Sequence, residues 1–125
     1  MKLVDTTIAV DHLRGSSAAT DLLTELVSGG ETLVASEITR FELLAGVRTA
    51  ELEALETFFS VLAWAPIDEE ISRTAGTLAR RFRRSHSGID DADYLIAGTA
   101  IVLEADLLTT NVRHFPMIKG LRAPY

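Results

Sequence analysis

The chain has 125 residues, which suits one compact domain, and its apolar fraction of 47% can supply a hydrophobic core. It contains no cysteine, which excludes disulfides and cysteine-ligated zinc or iron–sulfur sites. The formal net charge of −6 argues against a simple basic nucleic-acid binder. No apolar run approaches the ~18 residues of a membrane span, and no apolar signal region follows Met1. We therefore expect a cytoplasmic protein that does not bind membranes.

Short apolar stretches alternate with helical patterns along the chain. The four predicted strands cover residues 2–4, 32–35, 61–65 and 106–109. Helices are predicted at 6–13, 18–27, from Ser36 to between Gly46 and Arg48, at 51–60, from Asp68 to about Arg84, and from Asp90 or Asp91 to Leu103. The residues after Pro116 are compatible with a short edge strand. This alternation implies parallel pairing through crossovers, with helices on both faces of the sheet. The expected fold is one three-layer α/β/α domain, residues 1–125, with a small, mostly parallel central sheet.

Polar residues stand where several of these strands end. Asp5, Ser36 and Asn111 each lie at or just past a predicted strand end. Ligands of such sheets bind beyond the carboxyl ends of the strands, so we expect these residues at the binding edge. Simpler interpretations remain open, because Asp5 can cap the following helix and Asn111 can be a turn residue.

Further carboxylates stand beside core-forming residues. Glu42 interrupts an apolar helical face, and Asp90, Asp91 and Asp93 crowd one helix start. Charges in such positions are costly unless something positive lies nearby, and three adjacent acids repel one another. Gathered carboxylates usually hold a divalent metal ion. The pattern therefore indicates a metal-dependent enzyme.

Four segments together resemble the PIN domain, and specifically the VapC-type toxins of bacterial toxin–antitoxin pairs. Each segment is a weak signal alone, but four in this order and spacing, in so short a chain, are a strong one. The segments are Val4-Asp5-Thr6-Thr7, Thr39-Arg40-Phe41-Glu42-Leu43-Leu44-Ala45-Gly46, Ile89-Asp90-Asp91-Ala92-Asp93-Tyr94-Leu95-Ile96-Ala97-Gly98-Thr99-Ala100 and Leu108-Thr109-Thr110-Asn111-Val112-Arg113-His114-Phe115.

The resemblance also implies which residues form the site. The acidic, metal-binding and catalytic positions map onto Asp5, Glu42 and Asp93. In the third segment the metal-binding Asp stands three residues before the Ile of Ile-Ala, which favours Asp93 and leaves Asp91 as the alternative ligand. The fourth catalytic position, often Asp in the family, is Asn111, which removes one negative charge and weakens the case for a second metal. Two threonines match positions that support the carboxylates in relatives, Thr6 and Thr109.

The function that the resemblance implies is a Mg²⁺- or Mn²⁺-dependent endoribonuclease. Such a toxin is usually a dimer, cleaves RNA and is inhibited by a small antitoxin. A bound Mg²⁺ can activate water and stabilise the charge that develops on a phosphodiester, so no histidine nucleophile is required. The three histidines are dispersed, and we expect His114 to pack the loop after the last strand together with Phe115. The main alternative is a catalytically silent binding module with the PIN fold.

A basic segment in this acidic chain has two interpretations. Four arginines end the long predicted helix, where the helix dipole favours cations. The same side chains could hold RNA phosphates beside the site. These residues are Arg80, Arg81, Arg83 and Arg84.

Overall fold

The computed structural model describes all 125 residues and contains one four-stranded parallel sheet. The strands lie in the order β3-β2-β1-β4. They are β1 (Lys2–Val4), β2 (Leu33–Ser36), β3 (Ala63–Ala65) and β4 (Asp106–Leu108). The helices are α1 (Thr6–Leu13), α2 (Ser17–Ser28), α3 (Glu37–Gly46), α4 (Leu52–Phe59), α5 (Glu69–Phe82) and α6 (Asp91–Leu103). The predicted α/β/α fold with a small parallel sheet is confirmed.

The core consists of two apolar clusters, one on each face of the sheet. Successive residues of a strand point to opposite faces, and so Leu3 belongs to one cluster and Val4 to the other. The Val4 cluster takes its helical residues from α1 to α4, whereas the Leu3 cluster takes them mainly from α6. Both faces are therefore covered, which explains why the strands are apolar throughout.

The predicted helix starts agree well with the observed caps. The Ser36 hydroxyl accepts a hydrogen bond from the Ile38 amide at 3.2 Å, and the Asp68 carboxylate accepts one from the Ile71 amide at 2.9 Å. Both satisfy backbone donors that the first turn of a helix leaves without partners. These two helix starts were predicted correctly.

The end of the chain differs from the sequence-based expectation. No strand follows β4; a short 3₁₀ turn, Val112–His114, leads into irregular structure up to Tyr125. Pro116 has no amide donor for a sheet, and Gly120 has a φ of 74°, outside the extended region. The expectation of a fifth, edge strand was wrong.

Helices α5 and α6 pack very closely. A Cβ atom on Gly98 of α6 would lie 3.1 Å from the Ala75 Cβ, from the Ala75 amide nitrogen and from the Ile71 carbonyl oxygen of α5. Only a glycine allows this approach without movement of the α5 backbone.

No helix of the structure is both long enough and apolar enough to cross a membrane.

Candidate active site

Asp5 lies at the carboxyl edge of the sheet, between β1 and β4. Its backbone amide donates to the Leu108 carbonyl at 2.9 Å, and the residue is only 3% exposed. The Thr109 hydroxyl donates to Asp5 Oδ2 at 2.6 Å, and the Thr7 hydroxyl donates to the same oxygen at 3.1 Å. Two hydroxyl donors therefore orient a buried carboxylate, as burial of a charge requires. Both hydrogen bonds go to Oδ2, and none is made to Oδ1.

Glu42 projects from α3 toward the same edge. The Thr6 hydroxyl donates to Glu42 Oε1 at 2.8 Å, and Thr6 Oγ1 also lies 3.2 Å from the buried Thr39 hydroxyl. Burial raises the pKa of Glu42 above its ordinary value, the hydrogen bond from Thr6 opposes this, and the negative charges of Asp5 and Asp93 raise it further. The influence of those charges shows that three carboxylates from distant segments share one electrostatic environment.

Asp93 occupies the first turn of α6, and its side chain is 15% exposed. Its Oδ2 accepts the Asp90 amide at 3.2 Å and lies 3.1 Å from His114 Nδ1. Burial raises the pKa of Asp93; the Asp90 amide and His114 counteract this, while the charge of Asp5 adds to it. The carboxyl groups of Asp93 and Glu42 thus both carry a penalty for being ionised, one that a bound cation would remove.

Asp91 is not brought to this cluster. Its side chain is 86% exposed and pairs with Arg83, whose Nη2 lies 2.6 Å from Asp91 Oδ1. Residues two apart on a helix point in different directions, so Asp91 and Asp93 cannot face one site from the first turn of α6. Of the two metal-ligand candidates in this turn, only Asp93 lies with Asp5 and Glu42.

Asn111 reaches the site through the turn that follows β4. Its backbone N–H donates to Thr109 Oγ1 at 3.0 Å, and its side-chain Nδ2 lies 2.8 Å from His114 Nδ1. An ionised Asp93 can only accept, so its contact with His114 requires the proton on Nδ1. Two nitrogens that both carry hydrogen cannot bond to each other, so the side-chain amide of Asn111 is rotated by about 180° and its Oδ1 accepts from His114 Nδ1. The two orientations of the amide have nearly the same shape.

The donor set fits a hydrated Mg²⁺ or Mn²⁺ ion. No three His, Asp or Glu side chains lie close enough together to enclose one metal ion by themselves. Mg²⁺ does not need such an enclosure, because it keeps several waters and is usually held by one or two carboxylates. Asp5, Glu42 and Asp93 supply oxygen ligands of this kind, and the raised pKa values of Glu42 and Asp93 show that their surroundings disfavour uncompensated negative charge.

The comparisons with known proteins identify the family of the chain. The PIN domain family matches residues 2–120, and Ribonuclease VapC19 of Mycobacterium tuberculosis is 66% identical over 125 residues, with both chains covered completely. The chain belongs to the VapC group of the PIN domain family. Ribonuclease VapC10 of the same species is 42% identical over 125 residues, which are 100% of this chain and 93% of that protein.

A solved VapC-type structure supports the same assignment for the fold. VapBC2 from Rickettsia felis, bound to a DNA fragment from its promoter, matches with a TM-score of 0.83 and 26% identity, covering 98% of this chain and 96% of that one. The predicted membership of the VapC-type PIN domains is therefore confirmed.

Two residues of this PIN-domain site were missed by the sequence analysis. Thr7 donates to Asp5, although only its neighbour Thr6 was named as a supporting residue. His114 was expected only to pack the loop after the last strand; it does contact Asn111 of that loop, but it also contacts Asp93. The spacing of His114 from Asn111 carried a usable signal, since residues three apart in a 3₁₀ turn point the same way.

Proposed function

We propose that the chain is an endoribonuclease that depends on Mg²⁺ or Mn²⁺ and acts as the toxin of a type II toxin–antitoxin pair. The observation that carries this proposal is the convergence of Asp5, Glu42 and Asp93 at one sheet edge, where burial and mutual repulsion raise the pKa values of Glu42 and Asp93. Relatives that are 66% and 42% identical are named ribonucleases, which supports RNA as the substrate.

The residues of the chain have separable tasks in this reaction. Asp5, Glu42 and Asp93 would hold a hydrated metal ion, either directly or through its water ligands; when bound, the ion lowers the pKa of a coordinated water and stabilises charge on the phosphodiester. Thr109 fixes the orientation of Asp5, and Thr6 fixes that of Glu42. The Glu42 or Asp93 carboxylate would orient the attacking water and accept its proton.

The proposal extends to partners and location. VapBC2 was solved as a toxin–antitoxin pair, and we propose a cognate antitoxin for this chain on that basis. We also propose that the chain acts as a single domain, residues 1–125, that it forms a homodimer as the family resemblance implies, and that it works in the cytoplasm, where its RNA substrate would be.

The test is cleavage of total bacterial RNA by the purified, antitoxin-free chain with Mg²⁺, with Mn²⁺ and with EDTA. We expect discrete fragments that need metal and that disappear in Asp5→Asn and Asp93→Asn. Asp91→Asn is the matched control, because it removes the same charge two residues from Asp93 but outside the cluster. It should retain cleavage.

Two results would contradict the nuclease proposal. The first is cleavage that survives in Asp5→Asn or in EDTA, which would point to a contaminant or to another site. The second is no cleavage of any RNA by folded, metal-loaded protein, which would favour the silent binding module.

A further inference from the structure

A cavity lies beside the carboxylate cluster, between α5 and α6. Its volume is about 800 Å³. Small residues of α5, Ala75, Gly76 and Ala79, form part of its wall, and Tyr94 and Leu95 of α6 lie in the wall as well. Three arginines line it: Arg80, Arg83 and Arg84. We call this cavity the α5–α6 groove.

The groove gathers positive charge that has no carboxylate partner. Arg83 pairs with Asp91, but no acidic side chain lies within ion-pair distance of Arg80 or Arg84. The only side-chain hydrogen bond of Arg80 is to the Thr77 hydroxyl, at 3.4 Å. The helix dipole accounts for cations near the end of α5, but not for their convergence on one cavity. Two free guanidinium groups therefore face a space large enough for a ligand.

Tyr94 adds a second observation in the same wall. It is 2% exposed, and its hydroxyl is a buried side-chain atom without a hydrogen-bond partner. The Arg83 guanidinium lies over its ring, 5.5 Å from the centroid. The hydroxyl is closed to solvent, so Tyr94 serves the groove through its ring, on which the Arg83 guanidinium places a further positive charge.

The groove adjoins the carboxylates through one turn of α6. Asp91 and Tyr94 line it, whereas Asp93 faces His114 on another side of the helix. The two sites are thus separated by about 10 Å, the width of a helix. The carboxylates repel a polyanion, and the chain as a whole carries a net charge of −6. Adjacent unpaired cations would counter that repulsion where RNA must approach.

We propose that the α5–α6 groove binds a backbone phosphate of the substrate RNA, with Arg80 and Arg84 as its cationic contacts. This inference rests on the proposed ribonuclease function. Guanidinium groups match phosphate oxygens in geometry, and a phosphate anchored here leaves the neighbouring stretch of RNA within reach of Asp93. An acidic segment of the antitoxin is the competing occupant, since an inhibitor also binds beside the centre that it blocks; weaker antitoxin binding in the groove variant would identify it.

The experiment measures binding of a fluorescent single-stranded RNA by anisotropy, in EDTA, across a series of salt concentrations. The double variant Arg80→Ala/Arg84→Ala is compared with Arg81→Ala/Arg122→Ala. Both remove two positive charges from exposed positions, but neither Arg81 nor Arg122 lines the groove. Circular dichroism and thermal unfolding check that all the variants are folded.

We expect the groove variant to bind RNA more weakly at low salt. Its slope of log affinity against log salt should be smaller by about 0.7, the value for one lost phosphate contact to a single strand. The control should keep a slope close to that of the wild type. With Mg²⁺, the groove variant should show a raised KM for cleavage and a nearly unchanged kcat.

Several outcomes would overturn the proposal. Equal weakening in both double variants would reduce the effect to net charge. Unchanged RNA binding together with weaker antitoxin binding would assign the groove to a protein partner. A wild-type chain that binds no RNA at low salt would also refute it. The nuclease proposal fails separately: RNA binding that depends on the groove but is never followed by metal-dependent cleavage would refute only that proposal.

Discussion

Replacement of Thr109 by valine tests whether its hydroxyl holds the buried Asp5 in place. Valine preserves the shape of threonine but deletes the donor to Asp5 Oδ2, at 2.6 Å, and the acceptor for the Asn111 amide, at 3.0 Å. A hydrogen bond to a charged group contributes about 1.5–3 kcal/mol, and an amide left without its partner adds a further penalty. We expect the free energy of unfolding to fall by about 2–3 kcal/mol, which lowers the Tm by roughly 10 °C.

The assay is urea unfolding followed by circular dichroism, in EDTA. Thr99→Val is the matched control: Thr99 is equally buried, but its hydroxyl donates to the Leu95 carbonyl of the same helix, at 2.8 Å. Loss of the Thr99 hydroxyl deprives no charged group of a donor, so the free energy of unfolding should fall by less than about 1 kcal/mol. Equal decreases in the free energy of unfolding of the two variants, or a decrease below about 1 kcal/mol in Thr109→Val, would refute the idea that Asp5 depends on this donor.

Three further predictions concern charge, positioning and packing. Glu42→Gln keeps an acceptor for the Thr6 hydroxyl but removes a carboxyl group whose pKa is raised by burial and by its acidic neighbours. A raised folded-state pKa means that stability is lost as pH rises from about 4.5, the ordinary value. In EDTA the variant should therefore be increasingly more stable than the wild type above that pH, and the Tm gain on adding Mg²⁺ should be smaller; a less stable variant at pH 7 would contradict this. His114→Ala should weaken Mg²⁺ binding by about tenfold in calorimetry, because it removes a partner that orients Asp93; unchanged affinity would make that contact incidental. Gly98→Ala should cost about 1–3 kcal/mol in urea unfolding, because its new methyl group meets α5 backbone at 3.1 Å; a neutral result would show that the two helices separate easily.

Part of the site could be predicted because its signals are local in the chain. Asp5, Glu42 and Asp93 were identified from three of the four short segments, and the structure places their carboxylates in one electrostatic environment. The assignment of each to a metal ion remains a prediction. The contact between His114 and Asp93 joins residues 21 apart, and the pairing of Thr7 with Asp5 depends on the orientation of the first turn of α1. No local pattern encodes such geometry.

The sequence by itself determined the four strands and six helices of this protein and their arrangement as a parallel α/β domain. Apolar runs specify strands buried on both faces, and Ser36 and Asp68 satisfy free amides at helix starts; both effects act within a few residues. Only the tertiary structure decided that Asp91 turns out to Arg83 while Asp93 turns in, and that two of four neighbouring arginines line a groove without acidic partners. The reason is physical: the environment of a charge is set by what packs around it, and those neighbours come from distant parts of the chain.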